Sequence, residues 1–171
     1  PQDAELTPRP DLFPAWDSLN DAEKKLYARQ MEVYAGYSEN ADWNVGRLLD
    51  AIEEIGDLDN TLIFYIWGDN GSSSEGLNGT ISEQLAQNGI PTKISQHLAA
   101  LDELGGLPAL GGPKTDNMYH AGWAWAGSTP YQGTKLQGAY LGGIRQPLAV
   151  AWPARIKAHP TPRAQFHPVT D

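Results

Sequence analysis

The stretch Leu62-Ile63-Phe64-Tyr65-Ile66-Trp67-Gly68-Asp69-Asn70-Gly71, "LIFYIWGDNG", runs six large apolar residues straight into a carboxylate and an amide set between two glycines. Thr61 to Trp67 is rich in β-favouring residues and about one strand long. An apolar run without alternation predicts a strand covered on both faces, as in parallel sheets. Upstream, Asn20 followed three residues later by Glu23 makes a capping-box pattern. The apolar positions Tyr27, Met31, Tyr34, Ala41, Val45, Leu48, Ile52 and Ile55 then recur at helical spacing as far as Gly56. Gly36 and Gly46 each weaken such a helix by about 1 kcal/mol relative to Ala, so a long helix is predicted with a break or kink allowed inside it. The helix, the turn Asp57-Leu58-Asp59-Asn60 and the covered strand together predict an α/β fold with a mostly parallel central sheet flanked by helices. Ligands of such sheets gather beyond the carboxyl ends of the strands, which is where Gly68-Asp69-Asn70-Gly71 falls.

The 171 residues suffice for one ordinary domain. With 40% hydrophobic residues, six Trp and seven Tyr, the composition is that of a packed chain. Twelve Lys and Arg against 21 Asp and Glu leave a net charge of −9, which argues against nucleic acid or an anionic membrane as partner. No cysteine is present to serve as disulfide, thiolate ligand or nucleophile. No apolar run approaches the roughly 20 residues that span a bilayer. The start without Met and the stop at Val169-Thr170-Asp171 suggest an internal piece of a longer protein, which leaves compartment and oligomeric state open.

Along the rest of the chain, residues 1–19 carry four prolines and read as an extended lead-in. Residues 71–134 read as a loop-rich insertion. It begins with the Gly/Ser-rich "GSSSEGLNGT", continues with one or two short helices around Gly89-Ile90-Pro91, and breaks at the flexible Gly105 to Gly112. The loop "NMYHAGWAWAGSTPYQGT" follows, whose aromatics Tyr119, Trp123, Trp125 and Tyr131 either wall a cleft or pack on the core. Pro147 to Trp152, "PLAVAW", is a second apolar strand, with proline permitted at its start.

Asp69 and Asn70 place an anionic and a neutral oxygen donor side by side, which suits hard cations such as Ca²⁺ or Mg²⁺ and not Zn²⁺. Asp-Asn-Gly is equally ordinary turn chemistry. Ca²⁺ takes about six to eight oxygens, so other groups must complete any site. Lys135 follows a Gly-Thr turn in a glycine-rich stretch where Arg145 is the other nearby cation. A compact ammonium there suits an oxyanion, or is simply a solvated surface charge. The histidines, His97, His120, His159 and His167, show no ligand spacing. His97 and His159 read as structural or solvated, while His120 borders the aromatic loop. No G-x-S-x-G elbow, P-loop or G-x-G-x-x-G follows a strand.

Taken in order, these segments resemble the later part of an arylsulfatase of the alkaline-phosphatase superfamily. "MEVYAGYSENADWNVGRLLDAIEEIGDLDNTLIFYIWGDNG" resembles the helix, strand and metal-ligand turn. "GWAWAGSTPYQGTK" resembles the segment that presents a substrate-binding lysine, "GGIRQPLAVAWPARI" the next strand, and "RAQFHPVTD" the start of the segment after it. The resemblance implies an alkaline-phosphatase-like fold and hydrolysis of a small-molecule sulfate ester at a divalent-metal site, Ca²⁺ ahead of Mg²⁺. It carries Asp69 and Asn70 over as metal ligands and Lys135 as a contact to sulfate. The family's nucleophile, a formylglycine made within C/S-x-P-x-R, has no counterpart here, because Ser128-Thr129-Pro130 is followed by Tyr131-Gln132. The expectation is one partial sulfatase domain over 1–171, inactive alone, with the nucleophile outside it. A phosphatase, phosphodiesterase or phosphonate hydrolase of the same superfamily is the alternative, as is a non-catalytic binding module.

Overall fold

The computed structural model describes residue 3 and residues 5–168; the end of the segment "RAQFHPVTD", residues 169–171, lies outside them. The chain divides into two compact units, one holding the described residues to Glu39 together with Asn70–Arg145, the other Asn40–Asp69 and the described residues from Gln146.

Helix α1 spans Asp21–Glu54 without the break that Gly36 and Gly46 allowed. Its start is a reciprocal capping box. The Glu23 amide donates to Asn20 Oδ1 at 3.0 Å and the Asn20 amide donates to Glu23 Oε2 at 2.9 Å, satisfying two donors that the first turn would otherwise orphan. At the other end Gly56 takes φ +82, and the amides of Gly56 and Asp57 return to the carbonyls of Glu53 and Ile52. That 6→1 and 5→2 pair is the Schellman closure, which glycine adopts without steric cost.

In the first unit, Leu26 and Tyr27 of α1 pack with Leu101 of α3 (Ile94–Leu104) and with Leu110, flanked by Val33, Leu98 and Leu107. The predicted flexible break at Gly105 to Gly112 is instead part of this core. Gly105 and Gly106, at φ +108 and +82, reverse the chain after α3. A 3-10 turn, Leu107–Ala109, then returns Leu110 to the interior, where it is 1% exposed. The short helices expected around Gly89-Ile90-Pro91 are α2 (Glu83–Gln87) and α3, and a further helix, α4 (Ala121–Ser128), forms where the aromatic loop was expected. Trp123 of α4 donates its indole N–H to the Tyr27 carbonyl at 3.1 Å and packs against Trp16, so this aromatic serves the core. The short α5 (Leu141–Ile144) ends the unit.

In the second unit, β1 (Ile63–Ile66) pairs with β2 (Leu148–Ala151), Ile63 opposite Ala151 and Ile66 opposite Leu148. The pair is antiparallel, so a parallel sheet is not what the described residues form. The direction follows from how the excursion between the strands closes, since the Trp67 amide points to the Pro147 carbonyl at 3.5 Å and β2 starts beside the end of β1. Parallel pairing would need the chain to cross back to the other end. The prediction of a strand covered on both faces also fails. Ile63 and Tyr65 are half-buried, with the Tyr65 hydroxyl donating to Asp42 of α1 at 3.0 Å, but Phe64 and Ile66 are 59% and 46% exposed and all of β2 is open. An apolar run reports that cover is wanted, and the described residues supply cover on one side only. For the same reason Leu48 and Ile55, counted in the apolar stripe of α1, stand 61% and 72% exposed.

Candidate functional site

Lys135 is fastened at both its backbone and its side chain. Its amide donates to the Ser72 carbonyl at 2.9 Å, and its ammonium donates to Glu75 Oε2 at 2.6 Å. The same carboxylate oxygen accepts from the Ser73 hydroxyl at 2.8 Å, and the Ser74 and Thr134 hydroxyls lie 3.0 Å apart in hydrogen-bond contact. The Gly/Ser-rich run after Asn70 is therefore a grip on the main chain of Lys135 and on the side chains of Thr134 and Lys135. The hydrogen bond from Lys135, then that from Ser73, holds the Glu75 carboxyl below the usual carboxylate range, while partial desolvation opposes them.

Glycines let these backbones approach. The Gly71 amide donates to the Gly143 carbonyl at 2.8 Å, and the Gly142 amide to the Gln132 carbonyl at 2.8 Å. A Cβ at Gly71 would overlap the Gly142 carbonyl, and one at Gly143 would stand 2.8 Å from the Thr134 carbonyl. Three segments, at 71, 132–134 and 142–143, thus meet main chain to main chain, and Lys135 leaves from the middle one.

Asp69 and Asn70 follow β1 after Trp67 and Gly68, as predicted; Asp69 is exposed and Asn70 half-buried. Asn70 belongs to the unit that contains Lys135 and lies two residues before the carbonyl that accepts from the Lys135 amide, whereas Asp69 belongs to the other unit. Their donor set is oxygen only, which fits a hard cation and not one that seeks nitrogen or sulfur. Among the described residues no three His, Asp or Glu side chains gather as a group that could hold a metal ion.

Two histidines are structural, and burial lowers the pKa of both. His97 on α3 meets the Thr92 hydroxyl through Nε2 at 2.6 Å. His120 caps α4, accepting the Gly122 amide at Nδ1 at 2.9 Å, with its ring 4.5 Å from that of Tyr27. His159 is exposed and contacts the Thr161 carbonyl through Nδ1, while His167 is exposed. Arg145, the other cation of the Lys135 stretch, lies 4.9 Å over the Tyr131 ring. Sequence reading missed Glu75. The available signal was that it is the single charged residue between Asp69 and Glu83.

A family model described as Sulfatase matches residues 6–171. The chain is 31% identical over 145 residues to an uncharacterized sulfatase of Schizosaccharomyces pombe, covering 84% of this chain and 24% of that protein. It is 29% identical over 73 residues to an arylsulfatase of Klebsiella aerogenes, covering 42% of this chain and 16% of that one. The chain thus spans about a quarter or less of the length of these curated relatives.

Proposed function

The chain belongs to the sulfatase family, and on that premise we propose that it contributes part of the active site of an enzyme that hydrolyses organic sulfate esters, aryl sulfates among them. Lys135 contacts a sulfate oxygen, and Asp69 and Asn70 supply two oxygen ligands to a divalent cation, Ca²⁺ ahead of Mg²⁺. The nucleophile and the other ligands come from residues outside this sequence, so the 171 residues alone are inactive.

The observation that carries this reading is the double anchoring of Lys135, through its amide to Ser72 and its ammonium to Glu75. A solvated surface lysine has no need of such fixing. A cation held in one place stabilises charge that develops on a sulfate oxygen in the transition state, because little reorganisation is needed when that charge appears. A divalent ion, when bound, polarises the ester and its oxygens as a Lewis acid. Asp69 and Asn70 would offer it oxygen donors from the bend that follows β1.

The test uses the complete protein that carries this chain, assayed on an aryl sulfate and the matching aryl phosphate. Aryl sulfate hydrolysis that is lost in Asp69→Ala, while that variant stays folded and loses the thermal stabilisation given by added Ca²⁺, is the expected result. Preference for the phosphate overturns the sulfatase chemistry. An Asp69→Ala variant within about 0.5 kcal/mol of the parent, with unchanged Ca²⁺ response and rate, overturns the metal assignment.

A further inference from the structure

Lys135 is a four-carbon stem with three rotatable donors, so by itself it samples many positions and loses side-chain entropy whenever it is held in one. Its partner here is unusually well determined. The Glu75 carboxylate accepts from Lys135 and Ser73 at one oxygen, at 2.6 and 2.8 Å, and the side chains of the ion pair are only 33% and 24% exposed. The Ser73 hydroxyl also accepts the Glu75 amide at 3.3 Å, closing a small ring that fixes the carboxylate before any substrate arrives. Beside it, the Ser72 carbonyl and the Ser74 hydroxyl hold the main chain of Lys135 and the side chain of Thr134, which is 7% exposed. An exposed pair between two mobile side chains contributes little; here both ends leave anchored backbone and are partly withdrawn from water.

We propose that Glu75 is the positioning residue of Lys135, fixing its ammonium in the single place from which it meets the sulfate group. The proposal rests on the sulfatase reading above. An ammonium carries three N–H donors, so it can hold a carboxylate and a sulfate oxygen together. Glu75 touches neither substrate nor metal in this role and acts only through Lys135.

A double-mutant cycle in the complete protein, with Glu75→Gln, Lys135→Ala and the pair, tests it on an aryl sulfate. Glutamine keeps the size and an acceptor while removing the charge. Lys135→Ala is expected to lower kcat/KM roughly a hundredfold. Glu75→Gln is expected to lower kcat about tenfold with KM little changed, since displacement of a catalytic contact is felt mainly in the transition state. In the Lys135→Ala background Glu75→Gln is expected to cost nothing further. Losses that multiply instead assign Glu75 a general structural role and overturn the proposal, as does a Glu75→Gln variant within twofold of the parent; both leave the sulfatase reading standing. No aryl sulfate turnover by the parent removes the sulfatase reading and this proposal together. Turnover unaffected by Lys135→Ala removes the lysine assignment and Glu75 with it.

Discussion

The amide of Gly71 donates to the carbonyl of Gly143 at 2.8 Å, and a Cβ on Gly71 would fall inside the carbonyl of Gly142. The obstacle is main chain, which has no rotamer to change. Gly71→Ala is therefore expected to destabilise the protein by about 1–3 kcal/mol, the usual cost of overpacking. Chemical denaturation measures it, and an unchanged midpoint would show that the backbones do not meet as described.

Gly46→Ala is the opposite case. Nothing lies within 4 Å of the added methyl, and the site is interior to α1. The substitution removes only glycine's excess unfolded-state freedom, so a gain of about 0.5–1 kcal/mol is expected in the same experiment. A loss there would mean that α1 bends at Gly46 in solution.

Stability should fall on mild acidification. Burial pushes His97 and His120 below 6.5, with Glu23 partly opposing this for His120. Their folded forms resist protons that the unfolded chain accepts, so the stabilisation is complete above about pH 6.5 and is lost as pH falls toward the depressed folded values. His120→Asn retains an N-cap acceptor and removes one titration. Its denaturation midpoint should drop less steeply than that of the parent between about pH 7 and 5. Equal slopes would count against a neutral buried His120.

The core of the first unit turns on Leu101, 1% exposed and packed with Leu26, Tyr27 and Leu110. Leu101→Ala should cost about 2–5 kcal/mol through lost burial and the cavity left behind. A change under about 0.5 kcal/mol, the range of surface sites, would place Leu101 outside the core.

The sites that sequence alone located are those where a short local pattern has one physical outcome. Asn20 and Glu23 are three residues apart, and a helix start brings them into reciprocal contact whatever surrounds it. Gly56 closes α1 because glycine tolerates the left-handed turn there. The ordered match running from "GDNG" through Lys135 to "GGIRQP" placed the chain among sulfatases, and the family match over residues 6–171 agrees.

What only the tertiary structure decided are relations between distant segments. Phe64 and Ile66 are as apolar as any buried strand residue, yet they lie open, because cover is a property of neighbouring layers and not of the strand. β1 and β2 run antiparallel because the chain between them returns to the end of β1, which no periodicity within either strand records. Glu75 and Lys135 lie 60 residues apart, and their pairing exists only once glycines allow the backbones at 71, 132–134 and 142–143 to touch. Sequence by itself determined the helix, the strand positions and the family; folding determined that the Glu75 carboxylate holds Lys135, since such a contact is set by three-dimensional distance and not by spacing along the chain.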